Sequence, residues 1–98
     1  MRVRLSPAAE NDVRDIYAWY KKQGEDLSLQ FKRALGDCLE RVGNHPTAYA
    51  KVHGEVRRAL LHRFPYCVFY VIRESEVGVL GVFHGHRDPK TWQSRPIV

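Results

Sequence analysis

The feature that most restricts the fold is a pair of consecutive segments whose apolar residues do not alternate with polar ones. Phe64-Pro-Tyr-Cys-Val-Phe-Tyr-Val-Ile-Arg is followed by Val77-Gly-Val-Leu-Gly-Val-Phe-His-Gly-His-Arg-Asp-Pro. A strand packed on one side alternates apolar and polar residues, and a strand apolar on both faces must be covered on both. Here Tyr66, Val68, Tyr70 and Ile72 oppose Cys67, Phe69 and Val71, while Val79 and Phe83 oppose Leu80 and Val82. The two strands, Tyr66 to Arg73 and Val77 to Phe83, are joined by a short Glu74-Ser75-Glu76 turn. They run out into a polar cluster, His84 to Asp88.

Upstream, the material available to cover such a sheet is one helix hairpin. Arg2 to Leu5 alternates basic and apolar residues and reads as a short strand. Ser6-Pro7 is a helix start, with Ser6 as N-cap and Pro7 at the first helical position, where a missing N–H costs nothing. Glu10 and Asp12 suit the positive end of the helix dipole, and Lys21-Lys22 the negative end. Ala9, Val13, Ile16, Tyr17 and Tyr20 fall at helical spacing, and Gly24 ends the helix. A second helix begins near Asp26 with Leu27, Phe31, Leu35, Cys38, Leu39 and Val42 on one stripe. Gly36 inside it predicts close packing against a neighbour, because glycine there otherwise costs about 1 kcal/mol relative to alanine. Gly43-Asn44-His45-Pro46 is a stop signal. The short connection between the helices makes them antiparallel.

Tyr49 to Val52 reads as a short strand or an irregular segment, and His53-Gly54 as a turn. Glu55 to Phe64 places Arg57, Ala59, Leu61 and Arg63 on one face and Val56, Arg58, Leu60 and His62 on the other. The resulting class is α+β: an N-terminal strand, an antiparallel helix hairpin, then antiparallel strands in one sheet packed on the helices. At 98 residues the chain is read as one domain, 1–98, with Pro89 and Pro96 arguing for only partial order in the tail. One hairpin covers one face of the sheet. The second face calls for a partner protein, with the tail or a second copy as the other ways to cover it.

Composition excludes several classes. No apolar run approaches the roughly 20 residues that cross a bilayer, and the N-terminus lacks the apolar core of a signal peptide, so a cytoplasmic protein is expected. Cys38 and Cys67 both sit in apolar patterns without a Cys-x-x-Cys spacing, and are expected as buried free thiols. The net charge of +5 suits a polyanionic partner such as RNA, DNA or an acidic protein. No cofactor is expected. A metal site from His84 and His86 is disfavoured, because thiolate or further carboxylate ligands are lacking nearby. Trp19 and Trp92 read as packing or interface anchors.

Three groups of residues carry a family resemblance in order and spacing. They are Leu5-Ser6-Pro7-Ala8-Ala9-Glu10 with Asp12 and Ile16-Tyr17; Val56-Arg57-Arg58 ahead of Arg63-Phe64-Pro65-Tyr66 and Phe69-Tyr70; and Val82-Phe83-His84-Gly85-His86-Arg87-Asp88-Pro89. Over nearly the whole chain they resemble the RelE/ParE superfamily of bacterial toxins from type II toxin–antitoxin pairs. The resemblance implies a toxin held inactive by a small antitoxin, acidic in its toxin-binding part to complement the basic chain. Such a partner would cover the second sheet face, with Phe69, Tyr70 and Leu80 as its apolar contacts.

The superfamily has two branches, which need different residues. RelE-like members cleave messenger RNA on the ribosome, which needs a group to activate the 2′-hydroxyl, an acid for the leaving oxygen and cations on the phosphate. Arg58 and Arg87 fit two of the cationic places, with His62, His84 and His86 as acid/base substitutes. The position after Tyr66 is Cys67 rather than a basic residue, the second strand position is about Leu60, and Trp92 stands near the expected acid/base aromatic. ParE-like members, described as inhibitors of DNA gyrase that act by binding, resemble the chain better in its opening and closing motifs. The expected target-binding surface is Arg57, Arg58, Arg63, His84, His86 and Arg87. The alternative is a ribosome-dependent endonuclease using Arg58, His62, His84, His86 and Arg87. For the arginines the plainer role is to solvate an edge strand, and for His84 to Asp88 a solvated strand end.

Overall fold

A computed structural model describes residues 1–85. Its elements are β1 (Arg2–Leu5), α1 (Pro7–Gln23), α2 (Glu25–Asn44), β2 (Lys51–His53), β3 (Val56–Leu60), β4 (Tyr66–Arg73) and β5 (Glu76–His84). They form one five-stranded sheet in the order β1-β5-β4-β3-β2. β2 to β5 make an antiparallel meander, and β1 lies parallel to β5, with Leu5 opposite Val79. The sheet is therefore mixed, because the helix hairpin carries the chain from its first strand back across one face.

The local signals act where the sequence puts them. Ser6 accepts a hydrogen bond from the Ala9 amide at 3.1 Å, and Pro7 opens α1. The Gly24 amide closes α1 by donating to the Tyr20 carbonyl at 3.0 Å. α2 stops at Asn44, with the His45 amide donating to Arg41 at 2.9 Å. The buried stripe of α2 is Ser28, Phe31, Leu35, Cys38 and Val42, with Leu39 partly covered. Leu27 instead stands 38 % exposed. Ser28 takes its place inward by bonding its hydroxyl to the Glu25 carbonyl at 2.7 Å, which removes the cost of burying it.

Two apolar clusters lie on opposite faces of the sheet. The helix face joins Ala9, Phe31, Leu35, Cys38 and Val42 to Ala59, Leu61, Phe64, Val68, Tyr70, Val77, Val79 and Val82. The other face gathers Val56, Cys67, Phe69, Val71, Leu80 and Phe83, each 8 % exposed or less. The expected partition holds along β4. It fails along β5, where Val79 and Val82 share the helix face and Leu80 and Phe83 share the other. The cause is a bulge. Phe69 pairs with Gly81 while Tyr70 pairs with Val79, so Leu80 is an extra residue that inverts the alternation beyond it. The second cluster is buried in the chain taken alone.

Both cysteines are buried free thiols. Burial pushes the Cys38 thiol up to about 11 and raises that of Cys67 as well. Close backbone approach occurs at Gly43 and not at Gly36. A Cβ on Gly43 would stand 2.9 Å from the Met1 carbonyl oxygen and 3.2 Å from a Val3 methyl, whereas one on Gly36 would meet nothing within 4 Å. No helix among the described residues is long and apolar enough to cross a membrane.

Candidate functional site

The β3–β4 connection and the end of β3 gather exposed basic residues beside open clefts. The turn is closed by the Leu61 amide donating to Tyr66 at 3.0 Å, and braced by the Gly85 amide donating to Pro65 at 2.8 Å. Leu61 and Phe64 point into the helix-face core, so the residues between them, His62 and Arg63, are turned outward. Arg63 has a left-handed backbone at φ 69°, a conformation that is strained for an arginine. On β3, Val56 is buried while Arg58 and Leu60 of the same face are exposed, Leu60 by 60 %.

Two clefts meet at Arg58 and Leu60. One, of about 540 Å³, is lined by Arg41, Tyr49, Arg58, Leu60, Leu61, His62 and Arg63. The other, of about 470 Å³, is lined by Arg58, Leu60, Pro65, Cys67, His84 and Gly85. Among the described residues neither lining contains a carboxylate, although Asp37 shares a neighbouring cleft with His62 and Arg63. The Arg41 guanidinium is held by its Nε donating to the Tyr49 hydroxyl and its Nη2 to the Leu60 carbonyl, each at 3.4 Å. His84 lies across the strand pair from Tyr66, ring centroids 5.8 Å apart.

The residues expected as a target-binding surface separate into three sets. Arg58, His62 and Arg63 are brought together, and Arg58 also shares a cleft with His84. Arg57 is turned elsewhere: its Nη1 donates to the carbonyls of Thr47 at 3.3 Å and Tyr49 at 2.6 Å, fastening the segment after α2. His86 and Arg87, with Asp88 and Trp92, lie outside the described residues. Phe69, Tyr70 and Leu80, expected as exposed antitoxin contacts, are 3 %, 0 % and 3 % exposed. The exposure assumed for them is corrected. Tyr70 has a structural task, its hydroxyl donating to the Pro46 carbonyl at 2.6 Å.

Cys67 lines one cleft yet is 2 % exposed, and burial raises its thiol against the opposing influence of Arg58. A thiol kept protonated is a poor nucleophile. No group of three His, Cys, Asp or Glu side chains suited to a metal occurs among the described residues. Sequence reasoning passed over Arg41, Tyr49 and Leu60 as site residues. Arg41 looks from sequence like a last-turn cation favourable to the helix dipole, and only the docking of α2 on the sheet carries it beside Arg58. Leu60 had a legible signal, since it shares a face with Arg58 and His62.

The fold defines a class, the α+β architecture of the RelE/ParE superfamily, here in its ParE-like form. Residues 3–89 match the family described as ParE toxin of type II toxin-antitoxin system, parDE, and the chain belongs to that family. Its structure is similar to one titled "Chromosomal ParDE TA system from P. aeruginosa", with a TM-score of 0.69 and 19% identity, over 86% of this chain and 95% of that one. At that identity the likeness speaks for the fold. Among curated proteins there is no match.

Proposed function

We propose that the chain is the toxin of a type II toxin–antitoxin pair, that it inhibits DNA gyrase by binding, and that a cognate antitoxin neutralises it. Membership of the ParE family over residues 3–89 carries this reading. The chemistry of the site supports it. The position where a RelE-like enzyme would hold a cation is Cys67, buried and with a raised pKa, and the neighbouring strand position is the exposed Leu60. An exposed leucine among arginines is suited to gripping a protein surface.

The test adds the purified chain to gyrase in a supercoiling reaction. Accumulation of cleaved DNA, or loss of supercoiling, is the expected outcome, and undisturbed supercoiling at excess chain would sink the proposal. A ribosome-dependent nuclease is the second reading, favoured by one observation: Arg58 and the exposed His84 line the same cleft. Its mark would be messenger RNA cut in the ribosomal A site and spared by His84→Ala.

A further inference from the structure

The second apolar cluster is buried although neither helix lies over it. Its six residues are each 8 % exposed or less. The core residues of α1 and α2 all pack with the opposite face of the sheet. An antiparallel sheet with one open face leaves the outward side chains of that face in water. Strand neighbours shield the flanks of a phenylalanine but not the outer edge of its ring. Phe69 at 3 % and Phe83 at 2 % exposed therefore lie beneath a cover, and a single chain supplies it. That cover is narrow. Leu60 is 60 % exposed, whereas Cys67, directly across from it on the same face, is 2 % exposed.

We propose that residues 86–98 are this cover: a strap that crosses the second face and is anchored by Trp92 on Phe69 and Phe83. The described connections are engaged elsewhere, since Tyr49, Leu61 and Phe64 all join the helix-face core. Gly85 already stands at the edge of the second cluster. Its amide donates to the Pro65 carbonyl at 2.8 Å, and a Cβ on it would lie 3.4 Å from the Cys67 sulfur. The chain thus leaves β5 onto the face that needs covering.

Length and chemistry fit the same occupant. The cluster runs roughly 14 Å along β4 and about 10 Å from β3 to β5. Extended chain from 86 to 98 reaches about 43 Å, and Trp92 comes within about 24 Å of Gly85. Pro89 and Pro96 have no N–H to give a ladder, which suits a segment laid across a face over one added as a strand. The Phe69 and Phe83 rings, 5.7 Å apart and tilted by 47°, form an aromatic floor on which an indole packs well. Trp92 is the one Phe, Tyr or Trp between 86 and 98. A second copy is the poorer occupant, because the burial is complete within one chain and a broad partner would take Leu60 as well. By connectivity, His86 and Arg87 begin the strap beside the cleft of Arg58 and His84.

The test uses the full chain carrying Trp19→Phe, a change at a half-exposed position that leaves Trp92 as the single tryptophan. Its emission should be blue-shifted, and its quenching by acrylamide several-fold weaker than in the same chain unfolded in urea. Trp92→Ser in the otherwise unchanged chain should lower the melting temperature by about 10 °C or more. It should also bind a hydrophobic dye that the parent ignores, and Trp92→Phe should recover most of both losses. A folded chain whose Trp92 is quenched as readily as in urea overturns the strap. So does a Trp92→Ser chain that melts like the parent and stays silent to the dye. Shielding of Trp92 that grows with concentration, alongside a dimer in sedimentation, assigns the face to a second copy and overturns the intramolecular cover.

Discussion

Asp12 illustrates how a single side chain serves a strand amide as its acceptor. β1 pairs with β5 only as far as Leu5 opposite Val79, so among the described residues no strand lies beside the outer edge of β5 beyond Val79. The Ser6 amide continues the ladder for one residue by donating to the Val79 carbonyl at 3.0 Å, and its hydroxyl reaches the Leu80 carbonyl at 3.4 Å. Asp12 Oδ2 then accepts from the Val82 amide at 3.1 Å. A sequence reading assigns Asp12 to the helix dipole, a weak and local effect. Its larger role is to keep an edge amide from being left without an acceptor. Asp12→Ala should therefore cost about 1–3 kcal/mol, well above the dipole contribution alone. Urea unfolding of the variant checks this, and a loss of only a few tenths of a kcal/mol would return Asp12 to the dipole role.

Within the elements, α2 carries two glycines with opposite meanings. Gly36 is exposed, and a Cβ there would meet nothing within 4 Å. Gly43 is buried beneath β1, where a Cβ would come within 2.9 Å of the Met1 carbonyl oxygen. Gly36→Ala should stabilise the protein by about 0.5–1 kcal/mol, since it removes unfolded-state freedom and adds no clash. Gly43→Ala should destabilise it by about 1–3 kcal/mol, because backbone must shift to admit the methyl group. Thermal melts of the two variants should move in opposite directions, and movement in the same direction contradicts this account of β1 on α2. Sequence alone flags Gly36 as the close contact, since it is the glycine well inside the helix pattern. Gly43 sits in a stop signal and there looks like ordinary helix punctuation.

For the whole molecule, the two-faced sheet joins the helix core to a second cluster, and titratable groups are sealed inside it. Burial holds the Cys38 thiol at about 11 against its ordinary 9.0, and the Tyr70 hydroxyl at about 12 against its ordinary 10.0. The folded chain keeps these protons when the unfolded chain has released them. Their contribution is thus fully present below pH 9.0 and is lost as pH rises through about 11 and about 12. Urea midpoints should fall across that alkaline range, and Cys38→Val should flatten the earlier part of the fall. A midpoint that stays constant across it refutes this account.

The sequence by itself determined the α+β class, both helix caps, the hairpin, the buried thiols and the two-faced character of β4. Those features follow from rules that act between residues a few positions apart: a capping hydroxyl, a helical stripe, a run without alternation. Only the tertiary structure decided that β1 runs parallel to β5, that Leu80 bulges and turns Phe83 to the far face, and that Tyr70 is spent on Pro46. It alone brought Arg41 of α2 to Arg58 and Arg63 while sending Arg57 to the segment after α2. The physical reason is one of range. Strand register and helix docking are fixed by the sum of many pairings between distant residues, and one bulge changes the face of every residue beyond it.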